Sequence, residues 1–431
     1  MKIVHIVPGS GGSFYCENCL RDGLLVRSLR DSGHDVTMIP MYLPLFVDEP
    51  KITGNTPIFY GAINVYLKQT IPIFRKAPQW VERFLDSPFL LKIAAKKSGS
   101  TRAYGMEKMT LSMLRGDEGN QANELEKLTT WLKKEIKPDV VHLSNALLLG
   151  LADRIKRETG ATIACMLQDE DQWVDAMRDE YIQLVWDAMA EKGKVVDVFF
   201  PVSRYYADVM KSKMRIPDEK IYPVYPGIDL DGYQPASLDL DPPTIGYLSR
   251  ISRSHGFDIL VDAFIRLKQD PDFRNLRLRV TGGKTTDDDD FIESQRQKLE
   301  KNGFLSDVDF IPDFDRKNRL EFLKSLSLLS VPVRKGEAFG VFQIEAMASG
   351  VPVVQPKIGA FPEIVETTRG GVVYHPNNAE TLSDAIRSLL SHPDHIREMG
   401  IHALESVRNR FSVEQSTKDM IHAYQLFSKK T

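Results

Sequence analysis

Glu337 and Glu345 sit eight positions apart in VRKGEAFGVFQIEAMASGVPVV, the stretch that begins at Val333. Between them Val341, Ile344 and Met347 recur at helical spacing, so the pattern predicts a helix starting close to Gly340, then a Gly-Val-Pro turn into a short strand. The backbone N–H groups of Ala338, Phe339 and Gly340 would lie at that helix N-terminus, a setting suited to an anion such as phosphate. Glu337 falls just before this point and Glu345 about two turns along. One carboxylate can then reach a group beyond the phosphate and the other a group on its near side. A sugar nucleotide has hydroxyls on both flanks of its diphosphate and would fill such a layout. The same spacing also fits two solvated glutamates on an ordinary amphipathic helix.

A scaffold must hold these groups, and the rest of the chain supplies its rhythm. KIVHIV, DVTMIP, DVVHLS, TIACML and DVFFPV read as strands, separated by helical patterns near 18–32, 122–136, 146–159 and 171–192. A second series follows PGIDLDGYQP: TIGYLS, LRLRVT, DVDFIP, LLSVP, PVVQP and GVVYH, again with helices between. Alternation of this kind implies parallel strands with crossover helices. Two doubly wound Rossmann-like domains are expected, 1–225 and 226–411, joined where Pro, Gly and Asp cluster at 226–235. Ligands bind beyond the carboxyl ends of strands in such sheets, so a cleft between two facing sheets is the expected site. Met420, Ile421, Tyr424 and Phe427 mark a last helix near 413–429.

The motif around Glu337 resembles the E-x7-E signature of retaining glycosyltransferases of family 4, also called glycosyl transferase group 1. IGYLSRISRSHGFDILVDAF at 245–264, LRLRVTGG at 276–283, SLLSVPVRKGEAFG and GAFPEIVE at 359–366 resemble that family's other segments, in the same order. The resemblance is strongest in the C-terminal half and implies the GT-B fold, with the terminal segment 412–431 returning to the N-terminal, acceptor-side domain. It implies transfer of a sugar from a nucleoside diphosphate sugar to a hydroxyl acceptor, with no metal and no cofactor.

Residue roles follow from the same resemblance. Glu337 would accept hydrogen bonds from donor-sugar hydroxyls and Glu345 from the ribose, while the backbone of Phe339, Gly340 and Val341 lies against the diphosphate and sugar. Arg250 would hold phosphate oxygens with a permanent, two-pronged charge. The family has Lys where this chain has His255, and a neutral imidazole offers one donor and no charge. If His255 faces the diphosphate as that Lys does, its pKa should rise in the donor complex, and donor affinity should then weaken as pH rises. Gly11, Gly12 and Ser13 in PGSGGS resemble the family's N-terminal glycine loop, though a plain strand-to-helix turn reads the same way. His142 stands at the first position of a His-x-His-like turn and is the candidate catalytic residue of the N-terminal domain. Ser144 and Gln168 replace the family's other histidines, and a lone histidine at a strand end also serves as a structural residue.

Other features bound the reading. With 42% hydrophobic residues over 431 positions the chain can bury large cores, and a net charge of −3 gives no field favouring nucleic acid. No apolar run reaches the length of a membrane span, so a cytoplasmic protein is expected. Three cysteines argue against a disulfide framework, and the Cys16, Cys19 pair lacks the further ligands a structural zinc needs. The run Asp287 to Asp290 reads as a charge cap on a helix reaching about Lys301 rather than a metal site. Residues 60–120 mix aromatic and basic side chains and read either as a helical insertion over the core or as an acceptor lid or membrane-surface segment. A noncatalytic sugar-nucleotide-binding protein, or a GT-B epimerase or phosphorylase, is the alternative to a transferase.

Overall fold

The computed structural model describes residues 1–8, 17–41, 59–60, 103–238 and 241–428. Gly11, Gly12, Ser13, Cys16, the side chain of Cys19 and nearly all of 42–102 lie outside these residues. The chain splits into two compact units: one holds Asn18–Tyr225 with the first strand and the segment from Ser416 onward, and the other is Pro226–Gln415.

Each of the eleven apolar runs becomes a strand. The first unit carries β1 (Lys2–Val7), β2 (Asp35–Pro40), β3 (Val140–Leu143), β4 (Thr162–Leu167) and β5 (Val198–Pro201) in the order β2-β1-β3-β4-β5. The second carries β6 (Thr244–Leu248), β7 (Arg277–Thr281), β8 (Val308–Phe310), β9 (Leu328–Leu329), β10 (Val353–Pro356) and β11 (Gly371–Tyr374), ordered β11-β10-β9-β6-β7-β8. All the pairings are parallel. Helices cover both faces of such a sheet, which is why β3, β4 and β6 are buried along their whole length and read as continuous rather than alternating apolar runs.

The helical expectation at 171–192 is met by two helices instead of one, Glu170–Val174 and Asp179–Gly193. A tertiary ion pair accounts for the break. Arg178 takes an extended backbone (φ −64°, ψ 139°) and its guanidinium grips the buried Glu107 carboxylate, Nε to Oε1 at 3.1 Å and Nη2 to Oε2 at 3.2 Å. That bonding outweighs burial and holds Glu107 down at about 2. The helix Arg204–Met214 was not foreshadowed by the strand rhythm, yet Ser203 caps it, accepting from the Tyr206 amide at 3.0 Å.

The last helix, Val413–Ser428, is built into the first unit from Ser416 onward. Thr417 bonds Ser28 at 2.9 Å, Ser428 bonds Thr162 at 3.1 Å, and the Tyr424 hydroxyl meets His142 Nδ1 at 2.5 Å. Ahead of it, Ile228 and Ser412 form a parallel bridge in which the Ile228 amide donates to Phe411 and the Val413 amide to Ile228, each at 2.9 Å. Among the described residues no helix is long and apolar enough to cross a membrane.

Candidate functional site

In the second unit the loops after β6, β7 and β9 converge at the carboxyl ends of the strands. Arg250 follows β6. Its Nε and Nη2 donate to the two oxygens of Asp288 at 2.8 and 3.0 Å, and Nη2 also reaches Thr285 Oγ1 at 2.7 Å. Asp288 and Thr285 form a capping box ahead of the helix Asp289–Lys301. Burial works to raise the Asp288 pKa, but the Arg250 guanidinium and the Thr285 donors prevail and keep the carboxyl ionised below its ordinary range. The acidic run is therefore a cap with a second task, orienting Arg250. Among the described residues no cluster of His, Cys, Asp or Glu is arranged to hold a metal ion.

His255 closes the same loop. Its Nδ1 lies 2.7 Å from Ser252 Oγ and 3.2 Å from Ser254 Oγ, and burial, helped by the charge of Arg250, lowers its pKa to about 4. In the protein alone His255 is thus neutral, and the rise expected of it belongs to the donor complex. The hydroxyl of the interior Tyr247 donates to the carbonyls of both Arg250 and His255, at 3.0 and 3.4 Å, fixing the two ends of the loop.

This loop is stitched to the segment that leads into Glu337. The Arg334 amide donates to the Ser254 carbonyl at 2.9 Å and its Nε to the Arg253 carbonyl at 3.1 Å. Gly256 has φ of +71°, and a Cβ there would sit 1.8 Å from the Pro332 carbonyl oxygen, so only glycine permits the approach. The segment 359–366 supports Glu337 from the other side. The Ala360 amide donates to the Glu337 carbonyl at 3.0 Å, and a Cβ on Gly359, at φ +59°, would meet the Glu337 amide nitrogen at 2.4 Å.

The expected helix runs Val341–Ala348 with Gly340 at its N-cap. Glu337 is half-buried ahead of it, and Ala338 and Phe339 are buried, the Phe339 ring lying 6.0 Å from that of Phe411. Gln343 reaches back from the first turn to the Phe339 carbonyl at 2.7 Å and fixes the bend. Glu345 is buried and already engaged. Its Oε1 accepts from Arg319 Nε at 2.8 Å and from the Tyr233 hydroxyl at 2.6 Å. Neither partner emerged from the sequence reading, although Arg319 stands at helical spacing with Phe322 and Leu323 on the buried face of Arg316–Lys324. A charged residue on an apolar face was the available signal. Beside these loops a cavity of about 660 Å³ opens beyond β6, β7 and β8, with Ile251, Gly283, Lys284, Phe310, Ile311 and Phe314 in its wall.

In the first unit the described sequence-selected residues, His142, Ser144 and Gln168, are interior. His142 pairs in register with His5 and is fully buried, its ring 4.6 Å from that of His5 and stacked 5.7 Å from Phe200. Burial, with repulsion from His5, drives its pKa well down, and its Nε2 has no hydrogen-bond partner among the described residues. Gln168, at the end of β4, donates to the Ser144 carbonyl at 2.7 Å and accepts from Arg21. Arg21 in turn grips Asp22 at 2.6 Å, and although burial opposes ionisation of Asp22, this pairing and His5 bring it to about 2. Glu170 accepts from the Ala146 amide, the Gln168 amide and the Tyr206 hydroxyl, yet burial prevails and lifts it to about 8.

The fold and the loop set define a class. The family model for glycosyl transferases group 1 matches residues 234–405 and that for glycosyltransferase family 4 matches 110–231, together more than half the chain. The chain belongs to glycosyltransferase family 4, group 1, and its two parallel-sheet units are those of the GT-B fold. It is 27% identical to a D-inositol 3-phosphate glycosyltransferase of Nocardia farcinica over 48% of this chain and 47% of that protein. It is 26% identical to the lipopolysaccharide core biosynthesis mannosyltransferase LpsB of Rhizobium meliloti over 46% of this chain and 59% of that one. The chain spans about half the length of the curated relatives it matches. Among solved structures it is similar to sucrose-phosphate synthase from Thermosynechococcus elongatus, at a TM-score of 0.70 and 17% identity over 100% of this chain and 99% of that one. It is also similar to Anabaena HepE in complex with UDP, at 0.69 and 15% over 99% and 100%.

Proposed function

We propose that the protein is a retaining glycosyltransferase that moves a sugar from a nucleoside diphosphate sugar to a hydroxyl acceptor, without a metal ion, in the cytoplasm. The observation that carries this reading is the stitching of the Arg250 loop to the segment bearing Glu337, with Glu345 about one turn into the following helix. Charge for a diphosphate and acceptors for hydroxyls on either flank of it thus come from one packed group of loops. Arg250, its plane fixed by Asp288, neutralises the departing diphosphate. Glu337 receives the sugar hydroxyls and Glu345 the ribose hydroxyls, while the cavity beyond β6, β7 and β8 takes the base. The bond from the anomeric carbon to the diphosphate oxygen breaks, the acceptor oxygen bonds that carbon on the same face, and the acceptor proton passes to the leaving phosphate oxygen. Glu337 positions the sugar and forms no covalent bond to it. His142, shut inside its sheet, is given the role of an interior residue.

UDP is the first nucleotide to try, since HepE is described in complex with it. Melting temperatures with UDP-, GDP- and ADP-sugars test the reading, because a ligand that binds only the folded state raises them. A rise with one donor class, followed by slow hydrolysis of that donor, is expected. A rise without any hydrolysis or transfer would mean a binding protein, and no rise with any of the three would reject the donor site.

A further inference from the structure

An arginine buried on the apolar face of a helix is costly unless its charge and its donors are matched. Arg319 is matched on both counts. Its side chain is 7% exposed and that of Glu345 is 3% exposed. Nε donates to Glu345 Oε1 at 2.8 Å, and Nη1 donates to the carbonyl of Phe314 at 3.0 Å. Phe314 belongs to the wall of the 660 Å³ cavity. The helix that carries Arg319 is anchored at its start, where Asp315 accepts from the Asn318 amide at 2.8 Å and the Arg319 amide donates back to the Asp315 carbonyl at 2.8 Å. The Tyr233 hydroxyl, kept protonated by burial and by the adjacent carboxylate, donates to the same Oε1 at 2.6 Å. Two donors converging on one oxygen fix the rotation of the Glu345 carboxyl, and the second arm of Arg319 ties that carboxyl to the cavity wall.

We propose that Arg319 and Tyr233 are positioning residues for nucleotide recognition, fixing Glu345 against the ribose of a nucleoside diphosphate and coupling that contact to the wall of the base cavity. This rests on the donor-site reading given above. Its content is that ribose recognition runs through Arg319, so that loss of this side chain erases the preference for a nucleotide with ribose hydroxyls.

Isothermal titration of the full chain with UDP, GDP and ADP identifies the tightest diphosphate, and the 2′,3′-dideoxy form of that nucleotide is then titrated in parallel. Wild type should prefer the ribonucleotide. Arg319→Met should weaken it on the order of tenfold, the worth of a charged hydrogen bond, and bring the two affinities close together. Tyr233→Phe, which retains the ion pair, should shrink the preference by about threefold, and Arg319→Lys should recover part of it. A purely structural arginine would lower the melting temperature and weaken both nucleotides equally, leaving their ratio unchanged. Arg319→Met strands a buried carboxylate, so if it does not fold, Tyr233→Phe carries the test alone. An unchanged ratio in Tyr233→Phe and in every Arg319 variant that folds overturns the inference. Glu345→Gln separates the two levels. If it reduces the preference while the Arg319 and Tyr233 variants do not, only this inference fails. If it changes nothing, or wild type binds none of the three diphosphates, the donor-site reading fails and takes the inference with it.

Discussion

The strand ends of the two units differ in how they hold Arg250 and Glu345 on the one side and His142 and Glu170 on the other. In the second unit each key charge meets a counter-charge within hydrogen-bond reach: Arg250 on Asp288, Glu345 on Arg319. In the first unit Arg21 likewise holds Asp22, but burial leaves His142 neutral and Glu170 protonated up to about 8, as it leaves His255 neutral in the second. Paired groups keep their orientation, which suits a polyanionic ligand. Groups neutralised by burial stabilise a core and respond to pH. The comparison teaches that a similar sheet can present chemistry or conceal it, according to whether a partner or the apolar interior controls the charge.

The largest effect expected from breaking this contrast is at Glu337. Glu337→Gln should keep the melting temperature and lose on the order of a hundredfold in turnover, since an amide turns a donor toward sugar hydroxyls and misplaces the sugar. Initial-rate assays with the physiological donor check this, and wild-type turnover would remove Glu337 from the sugar site. Next comes Arg250→Ala, expected to weaken diphosphate binding by about tenfold or more and to exceed the loss from His255→Ala, because only the arginine carries charge in the free protein. His255 sharpens the point. With its pKa at about 4, set by burial and Arg250 against the pull of Asp288, donor affinity should be flat between about pH 6 and 8. A decline over that range in titrations of wild type, absent in His255→Lys, would mean that the bound diphosphate recharges the ring.

If Arg250 and the start of Val341–Ala348 neutralise the diphosphate as proposed, activity should survive exhaustive chelation. Restoration of lost turnover by magnesium or manganese would bring the acidic run back as a metal site. The smallest effect is one of stability in the first unit. Glu170 is raised from 4.5 to about 8, so the unfolded chain releases its proton first; its contribution is complete below 4.5 and declines as pH rises through 8. Urea midpoints should therefore fall across that interval, and less steeply in Glu170→Gln. Equal slopes would mean that the three donors around Glu170 keep it ionised.

Much of this was readable from the chain because parallel strands buried on both faces announce themselves as apolar runs. The start of the helix at Val341 and the two glutamates were equally visible, since helical spacing and turn residues are local signals. What escaped was set by tertiary partners. The helix break at 175–178 depends on Glu107, some seventy residues away, and the hold on Glu345 depends on Tyr233 and Arg319. The neutral state of His255 follows from its burial beside Arg250, for which an S-x-S-H string offers no cue. Charge states belong to neighbourhoods, and neighbourhoods form only when distant segments meet.

The placement of Tyr424 and Thr417 against His142 and Ser28 has a consequence for the order in which the protein matures. Domains tend to fold as units as the chain leaves the ribosome. Here the unit translated first lacks part of its interior until residues 416–428 have been made, whereas Pro226–Gln415 is complete beforehand. The half of the molecule that is begun first is finished last, and a nascent chain halted before Tyr424 would expose His142 and Phe200 while the second unit stood already folded.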